Sequence, residues 1–409
     1  MKSRVLKRSP KSDILDISSA EGVYLKDKAG NKYLDMASNS MICNLGYGNK
    51  EIIKTINDSY HKLSYCHNGN FTHENQELLA HKLNSLLKED YYVYFCSSGS
   101  ETIEAASRLA YLYQSSIGKK ERNKFLAFSE SYHGSSLGAL SLTGAPAVRD
   151  NWRKFTANYK YINRYPTEIE IAENLTDEIA GFFVEPLSSN ATGTIEFPSE
   201  TLEILYKKLK SKNQLIIFDE ISTSIGRTGT NFFFTQQFLS FSPDIICSSK
   251  GIGVGYFNIG AVLVKKEIAE KLLNHGKSML GHSYNGHPVG TSVGLKVLEI
   301  LERDNYLLQN KVSSNYLNTN VNEIISDFEG ITFNHKGLLS SIHVDKDKFD
   351  IKEIYNSLKT EGIVTVPSSK NHITLSPPYI IKKNEIDLFL SKLFKVLKNE
   401  EIKYERSST

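Results

Sequence analysis

The sequence predicts an α/β fold with a doubly wound, mostly parallel central sheet covered by helices. Six short runs in the middle of the chain are apolar nearly throughout, and helical patterns separate them. Continuous apolar runs are typical of strands buried on both faces of a parallel sheet, whereas half-exposed strands alternate apolar and polar residues. The runs are Tyr91–Cys96, Lys124–Ser129, Gly181–Pro186, Gln214–Glu220, Asp244–Ser249 and Ile259–Val264.

The length of the chain predicts a second domain. At 409 residues the chain exceeds one ordinary domain, so we expect two segments that share a cleft. A helix from Leu295 onward leads into a smaller α+β segment. We expect residues 61–300 to form the large domain, and residues 1–60 and 301–409 to combine into the small one.

The N-terminal part predicts a hairpin followed by two helices. Two runs with Tyr and Leu flank an Ala-Gly-Asn turn within Gly22–Asp35, which is the pattern of a β-hairpin. The stretches Asn49–Leu63 and His73–Leu87 have helical periodicity.

Composition excludes several classes of protein. A net charge of +3, from 49 basic and 46 acidic residues, gives no basis for binding to nucleic acid or a membrane surface. No apolar run has the length of a membrane span, and the basic N-terminus is not followed by an apolar signal core. Four cysteines without a CxxC pair predict free buried thiols, and 11 histidines without HExxH spacing predict no metal site. We therefore expect a cytoplasmic protein.

The run Tyr91–Cys96 leads into Ser97-Ser98-Gly99-Ser100, and Glu101 then opens an Ala-rich helix. Glycine permits a tight turn, and the free N–H groups of a first helical turn can bind a phosphate together with nearby hydroxyls. A serine cap that serves the helix only is an equally good interpretation of this motif taken by itself.

A second strand ends in Asp219 and Glu220. A carboxylate at the end of a buried strand can hold a cation inside the core, such as a protonated ring nitrogen or a metal ion. The structural alternative is an acid that pairs with a helix N-terminus or with Arg227.

Lys250 follows a third strand directly and precedes Gly251, Gly253 and Gly255. Desolvation lowers the pKa of a lysine, which frees the amine to attack a carbonyl carbon. A phosphate-binding lysine is the alternative, but the GxxxxGK[ST] pattern of nucleotide sites is absent.

These three features form a set, because each follows a different strand of one predicted sheet. Ligands of open α/β sheets bind at the carboxyl ends of the strands. Pyridoxal phosphate (PLP) requires an anchor for its phosphate, an anion beside its pyridine nitrogen and an amine for a Schiff base. The sequence therefore predicts a PLP enzyme.

The chain also resembles the class III aminotransferases (the ornithine and ω-amino-acid type) of PLP fold type I. The resemblance covers nearly the whole chain, and its motifs occur in the family's order. They are SSGSETIEAASRLA, SYHG, FFVEP, IIFDEISTSIGRTG, PDIICSSKGIGVG and GHSYNGHP. Fold type I implies a large PLP-binding domain and a smaller α+β domain built from both chain ends.

The resemblance implies a role for each matching residue. Lys250 would form the Schiff base and move the proton between substrate and cofactor, and Asp219 would pair with the pyridinium nitrogen. Ser98, Gly99 and Ser100 would hold the phosphate.

It further implies that Tyr132 covers one face of the ring and Ile221 the other, with His133 among the cofactor-binding residues. Glu185 would lie near the phenolic edge of the cofactor. Ser283 stands where the family usually has a threonine that reaches the phosphate of the neighbouring subunit, so a homodimer with shared active sites is expected.

Three departures from the family bear on the substrate. Thr374 stands where many members have an arginine that clamps a substrate carboxylate, and neither Lys370 nor Arg227 is an obvious substitute. GIGVGYFN replaces a glycine triplet and proline after the lysine, and VEPLSSNATG lacks the family's Gln-Gly. Together they favour an amine or amino-sugar-like substrate, or a specialised biosynthetic enzyme.

The expected reaction is a ping-pong transamination between an amine or amino-acid donor and a keto or aldehyde acceptor. An aminomutase or a racemase on the same scaffold is the alternative, because these reactions share the first proton abstraction. A catalytically silent binding subunit is a remote third reading, which the intact set of cofactor residues disfavours.

Overall fold

The computed structural model describes residues 4–6, 14–155, 159–189, 191–229, 231–276, 280–368 and 370–408. Most of the basic N-terminal stretch, on which the expectation of no signal peptide depends, lies outside this range. Within it no helix is both long and apolar enough to cross a membrane.

The strands are β1 (Ile17–Glu21), β2 (Tyr24–Asp27), β3 (Lys32–Asp35), β4 (Tyr91–Cys96), β5 (Lys124–Phe128), β6 (Tyr159–Ile162), β7 (Ile179–Val184), β8 (Leu187–Ser188), β9 (Ile195–Glu196), β10 (Leu215–Asp219), β11 (Ile245–Ser248), β12 (Gly260–Lys265), β13 (Ile331–Lys336), β14 (Leu339–Val344), β15 (Ile363–Val364), β16 (Val366–Pro367) and β17 (His372–Leu375). The helices are α1 (Ser38–Met41), α2 (Lys50–Lys62), α3 (Glu74–Ser85), α4 (Gly99–Ser116), α5 (Leu137–Leu142), α6 (Pro146–Arg149), α7 (Glu168–Asn174), α8 (Ser199–Ser211), α9 (Lys266–Asn274), α10 (Pro288–Arg303), α11 (Tyr306–Ile325), α12 (Ile351–Thr360) and α13 (Lys383–Ser408).

The central sheet has seven strands in the order β4-β12-β11-β10-β7-β5-β6. Strand β10 pairs in parallel with β7 and β11, and β5 pairs in parallel with β6 and β7. Strand β12 is antiparallel to both β11 and β4. The predicted mostly parallel α/β architecture is confirmed.

Burial explains why the middle strands read as continuous apolar runs. Every residue of β7, β10 and β11 is buried, because helices cover both faces of the sheet. Helices α4 and α9 pack on one face, and α8 packs on the other. The edge strand β4 differs from the prediction: Tyr92 is 46% exposed, because only one neighbour, β12, flanks this strand.

The two ends of the chain meet in a second sheet. Strands β2 and β3 form the predicted hairpin, and β3 also pairs in parallel with β15 near the C-terminus, with Leu34 opposite Ile363. A further four-stranded sheet, β13-β14-β17-β16, belongs to the C-terminal part. Both sheets contribute to one apolar core with α10, α12 and α13.

Two sequence-based details need correction. The helix expected from Leu295 begins at Pro288, because a proline suits the first helical position and the side chain of His287 caps the Val289 N–H at 3.2 Å. Of the four cysteines expected to be buried, Cys66 is only partly buried; all four are free thiols.

Candidate active site

A cleft of about 360 Å³ opens at the carboxyl ends of the central strands. Nine of the ten residues predicted for the cofactor site line it, and Ser283 is the exception. The nine are Ser98, Gly99, Ser100, Tyr132, His133, Glu185, Asp219, Ile221 and Lys250. Parallel strands bring these residues together because their carboxyl ends share one edge of the sheet.

The N-terminus of α4 forms the first part of the cleft. The helix begins at Gly99, two residues earlier than predicted, because Ser98 is the N-cap and its Oγ accepts from the Glu101 N–H at 3.2 Å. The Glu101 carboxylate in turn accepts from the Ser97 N–H at 2.8 Å. The remaining first-turn N–H groups and the helix dipole suit an anion.

Gly134 brings the loop before α5 against this helix terminus. The backbone φ of Gly134 is +136°, a value that residues with a side chain rarely adopt. A Cβ added to Gly134 would lie 2.6 Å from the Ser100 Oγ. The same Oγ accepts from the Ser135 N–H at 3.1 Å. A glycine is therefore required where the loop meets the N-terminus of α4.

Asp219 ends β10 and is 7% exposed. His133 Nδ1 donates to its Oδ2 at 2.8 Å, and the Ile221 N–H donates to its Oδ1 at 3.0 Å. These contacts fix the carboxylate and leave lone pairs for a further donor in the cleft.

Arg227 is not the partner of Asp219, contrary to the structural alternative considered above. It is fully buried, donates to the Pro377 carbonyl at 2.7 Å and also contacts Asn44. Glu220 likewise serves the fold, because its carboxylate accepts from the Phe234 N–H at 2.6 Å and from the Thr235 N–H.

Lys250 directly follows the Ser249 that succeeds β11. Its Nζ donates to the Ser222 Oγ at 2.6 Å. Burial lowers the pKa of this amine to about 8, against the opposing effect of Asp219 and Glu185. A substantial neutral fraction near neutral pH is what a nucleophilic lysine needs.

Glu185 lies beside Tyr132, whose N–H donates to the carboxylate at 2.9 Å. Burial raises the pKa of Glu185 to about 7, and His133 opposes the shift while Asp219 adds to it. The cleft therefore contains a carboxyl group that can exchange a proton near neutral pH.

The segments containing Ser97, Phe257 and Asn258 were singled out from the sequence, but no role was given to these three residues, which line the cleft. Sequence reasoning missed the further lining residues Ile42, Leu187, Ser189, Ser222, Ser249 and Ile259. Ser222 is the most important, because it holds the Lys250 amine. Its position three residues after Asp219, at the end of β10, was the available signal.

Lys370 and Arg227, the two residues considered as substitutes for the carboxylate clamp, lie outside the cleft lining, and so does Thr374. Lys370 Nζ forms an ion pair with Glu130 at 2.7 Å. Thr374 is fully buried, and its Oγ1 lies 3.1 Å from the Ser341 Oγ.

Ser283 is exposed on the surface of the chain, where its carbonyl accepts from the Tyr65 hydroxyl at 2.8 Å. Tyr60, Tyr65 and Tyr284 gather around the His287 ring, and all three are exposed. We call these three residues the tyrosine cluster.

The residues of the cleft fit PLP. An aspartate for the ring nitrogen, a desolvated amine and a helix N-terminus for the phosphate face one space. A Cβ at Gly99 would lie 3.1 Å from the Ile221 side chain, so glycine preserves the gap between the helix terminus and that side chain.

Comparison with known proteins agrees with this chemistry. The family model described as aminotransferase class-III matches residues 6–397. The uncharacterized aminotransferase YodT of Bacillus subtilis is 29% identical, over 96% of each chain. An acetylornithine aminotransferase of Clostridium acetobutylicum is also 29% identical, over 90% of this chain and 92% of its own. The omega transaminase of Pseudomonas jessenii in complex with PMP superimposes with a TM-score of 0.91 at 22% identity, covering 98% of this chain and 97% of its own.

Proposed function

This chain belongs to the class-III aminotransferase family and is a PLP-dependent aminotransferase, and from that premise we propose how its residues perform the reaction. The amino group passes from an amine or amino-acid donor to a keto or aldehyde acceptor in two half-reactions at one site. One observation carries the proposal: Lys250, Asp219 and the N-terminus of α4 share a single cleft.

When bound, PLP supplies a carbonyl carbon that takes up an amine and a pyridinium ring that accepts electrons from the reacting carbon. Lys250 would hold the cofactor through its amine and, once the donor has displaced that amine, would move a proton at the reacting carbon. Asp219 would keep a proton on the ring nitrogen. Ser98, Gly99 and Ser100 would bind the phosphate.

The neighbouring side chains orient these groups. Tyr132 and Ile221, which both line the cleft, would cover the two ring faces, and Glu185 would lie toward the phenolic edge. Ser222 holds the Lys250 amine in place, and His133 holds Asp219 through its 2.8 Å hydrogen bond.

We propose that the enzyme is a cytoplasmic homodimer with shared active sites. The tyrosine cluster exposes apolar surface next to Ser283, and the Phe257 ring of the cleft lies 5.0 Å from the His287 ring. A second copy of the chain would cover this surface and bring its Ser283 to the phosphate of its neighbour. We also propose the division into a large domain (61–300) and a small one (1–60 and 301–409).

We also propose a specialised biosynthetic role. The Clostridium relative is named for acetylornithine, whereas Thr374 stands here where many members of the family have a carboxylate-binding arginine.

The test is the visible absorption of the purified protein with PLP, before and after addition of a panel of donors. We expect a yellow band that one donor class bleaches, and a Lys250→Ala variant with neither the band nor turnover. A band that no donor bleaches, with activity that needs no acceptor, would favour the aminomutase or racemase. Lack of any PLP binding would revive the silent subunit.

A further inference from the structure

The turns that follow β10 and β11 are tied to each other at the carboxyl edge of the sheet. The Glu220 N–H donates to the Cys247 carbonyl at 2.9 Å, which extends the parallel pairing of the two strands. Just beyond, the hydroxyls of Ser224 and Ser248 lie 2.7 Å apart, and both are buried. These contacts hold the turn after β10 against the turn after β11.

The amine of Lys250 lies against a hydroxyl of the neighbouring turn. Its Nζ donates to the Ser222 Oγ at 2.6 Å. The backbone φ of Lys250 is +20°, at the edge of the left-handed region that residues with a side chain rarely adopt. Such a conformation persists where the surrounding contacts fix it. The amine therefore extends from a fixed backbone position to the Ser222 hydroxyl.

The two acids that influence Lys250 are held by other donors. Asp219 accepts from the His133 ring at 2.8 Å. Glu185 accepts from the Tyr132 N–H at 2.9 Å. The charges of both carboxylates raise the pKa of the amine and so favour its ammonium form. The serine hydroxyl at 2.6 Å, by contrast, meets the amine directly.

The proposed reaction would give the amine a charge partway through. The C–H bond at the reacting carbon would break, leaving its electron pair to the cofactor, and the proton would make Lys250 an ammonium ion. The ammonium would then pass the proton to a carbon of the cofactor, and the lysine would be neutral again. An oxygen that accepts from the ammonium stabilises the charged state, because a hydrogen bond from a charged donor is stronger than one from a neutral donor.

We propose that Ser222 is a positioning residue for this proton transfer, because its hydroxyl accepts from the Lys250 ammonium and stabilises it. The inference rests on the proposed function and goes beyond holding the amine in place, since it assigns Ser222 to the charged form of the lysine. Loss of the hydroxyl should then have two opposite effects. The protein without PLP should react with PLP more readily near neutral pH, and proton transfer in the loaded enzyme should be slower.

The first measurement follows the growth of the yellow band after PLP is added to the PLP-free protein at a series of pH values. The midpoint of its pH dependence should fall by about one pH unit in Ser222→Ala, because the ammonium loses an acceptor. At pH 7 the variant should form the band about 5-fold faster than the wild type, since more of the amine is neutral. Damage to the site would slow band formation at every pH.

Two further variants are the controls for this measurement. Ser222→Thr keeps the hydroxyl and should keep the wild-type midpoint. Thr223→Val removes the hydroxyl of the next residue, which is buried and has no hydrogen-bond partner among the described residues. This variant should also match the wild type. A midpoint in Ser222→Ala that does not fall, or that falls equally in Thr223→Val, would overturn the inference.

The second measurement follows loss of the band in the PLP-loaded enzyme. The donors are alanine, 4-aminobutyrate, propan-2-amine and 1-phenylethylamine, each with hydrogen or deuterium at the reacting carbon. Band loss should be about 10-fold slower in Ser222→Ala, and deuterium should slow the variant further, because proton transfer is the impaired step. A variant as fast as the wild type, or one that deuterium does not slow, would overturn the inference and leave the proposed function standing. A wild-type band that none of the donors bleaches would contradict the proposed function instead.

Discussion

Burial suits Lys250 to the role proposed for it. Desolvation disfavours the ammonium form and lowers the pKa to about 8, whereas the nearby carboxylates favour that form. The hydrogen bond to Ser222 then fixes the position of the amine. A solvated lysine would remain protonated near neutral pH and could not act as a nucleophile.

Reconstitution of the PLP-free protein should therefore depend on pH. Below about 8 the Lys250 amine is protonated and unreactive, and above it the amine is neutral. The rate at which the yellow band develops after addition of PLP should rise as the pH increases through about 8 and then level off. Stopped-flow absorbance measures this rate, with Lys250→Ala as the control that gives no band. A midpoint near the ordinary lysine pKa of about 10.4 would show that the amine is not desolvated.

Asp219 should be required for the reaction and dispensable for the fold. Asp219→Asn keeps the shape and the His133 contact but removes the charge that stabilises a protonated ring. We expect the turnover number to fall by about 10³-fold or more, since a charge partner in the transition state is lost. Steady-state kinetics measure the turnover number of the Asp219→Asn variant and of the wild type. Thermal unfolding of both proteins is the control for the fold. Unchanged turnover would mean that another group pairs with the ring nitrogen.

At the scale of elements, the site depends on the contact between α4 and the loop before α5. Glycine at 134 allows the loop to approach Ser100 at the helix N-terminus. The helix and the loop together form the proposed phosphate site, because the Ser100 hydroxyl of the helix accepts from the Ser135 N–H of the loop.

Gly134→Ala should weaken cofactor binding. The new Cβ would displace Ser100, so we expect the dissociation constant for PLP to rise about 10-fold or more, equivalent to the loss of a charge-assisted hydrogen bond. Titration of the PLP-free protein with PLP measures it. Gly118→Ala is the matched control, because Gly118 also has a positive φ (+83°) but nothing within 4 Å of an added Cβ. Equal loss of affinity in both variants would point to backbone strain as the cause.

At the scale of the whole molecule, the exposed tyrosine cluster bears on assembly. Large exposed aromatic groups next to a functional cleft are typical of a protein–protein interface. The cleft of one chain contains nine of the ten predicted site residues, and Ser283 lies on the surface beside the cluster.

The double variant Tyr65→Glu/Tyr284→Glu should be monomeric and should bind PLP more weakly than the wild type. Charges on this surface would oppose its burial against a second copy. Analytical ultracentrifugation should find about twice the chain mass of 46.1 kDa for the wild type and the single mass for the variant. Tyr111→Glu on α4, also exposed, is the control for added charge. A wild-type protein that sediments as a monomer would refute the shared active site.

The sequence by itself determined the fold class and the principal residues of the cleft. Continuous apolar runs identified the strands. Ser98–Ser100, Asp219 and Lys250 each lie at or just after the end of a strand, so their positions in the sequence were enough to predict that they meet at one edge of the sheet. Tertiary structure decided which polar groups actually face one another. His133 and Asp219 are 86 residues apart, Thr374 meets a hydroxyl from another strand, and Arg227 is bound to distant carbonyls. Such pairings depend on the packing of whole elements, and no short-range pattern in the sequence encodes them.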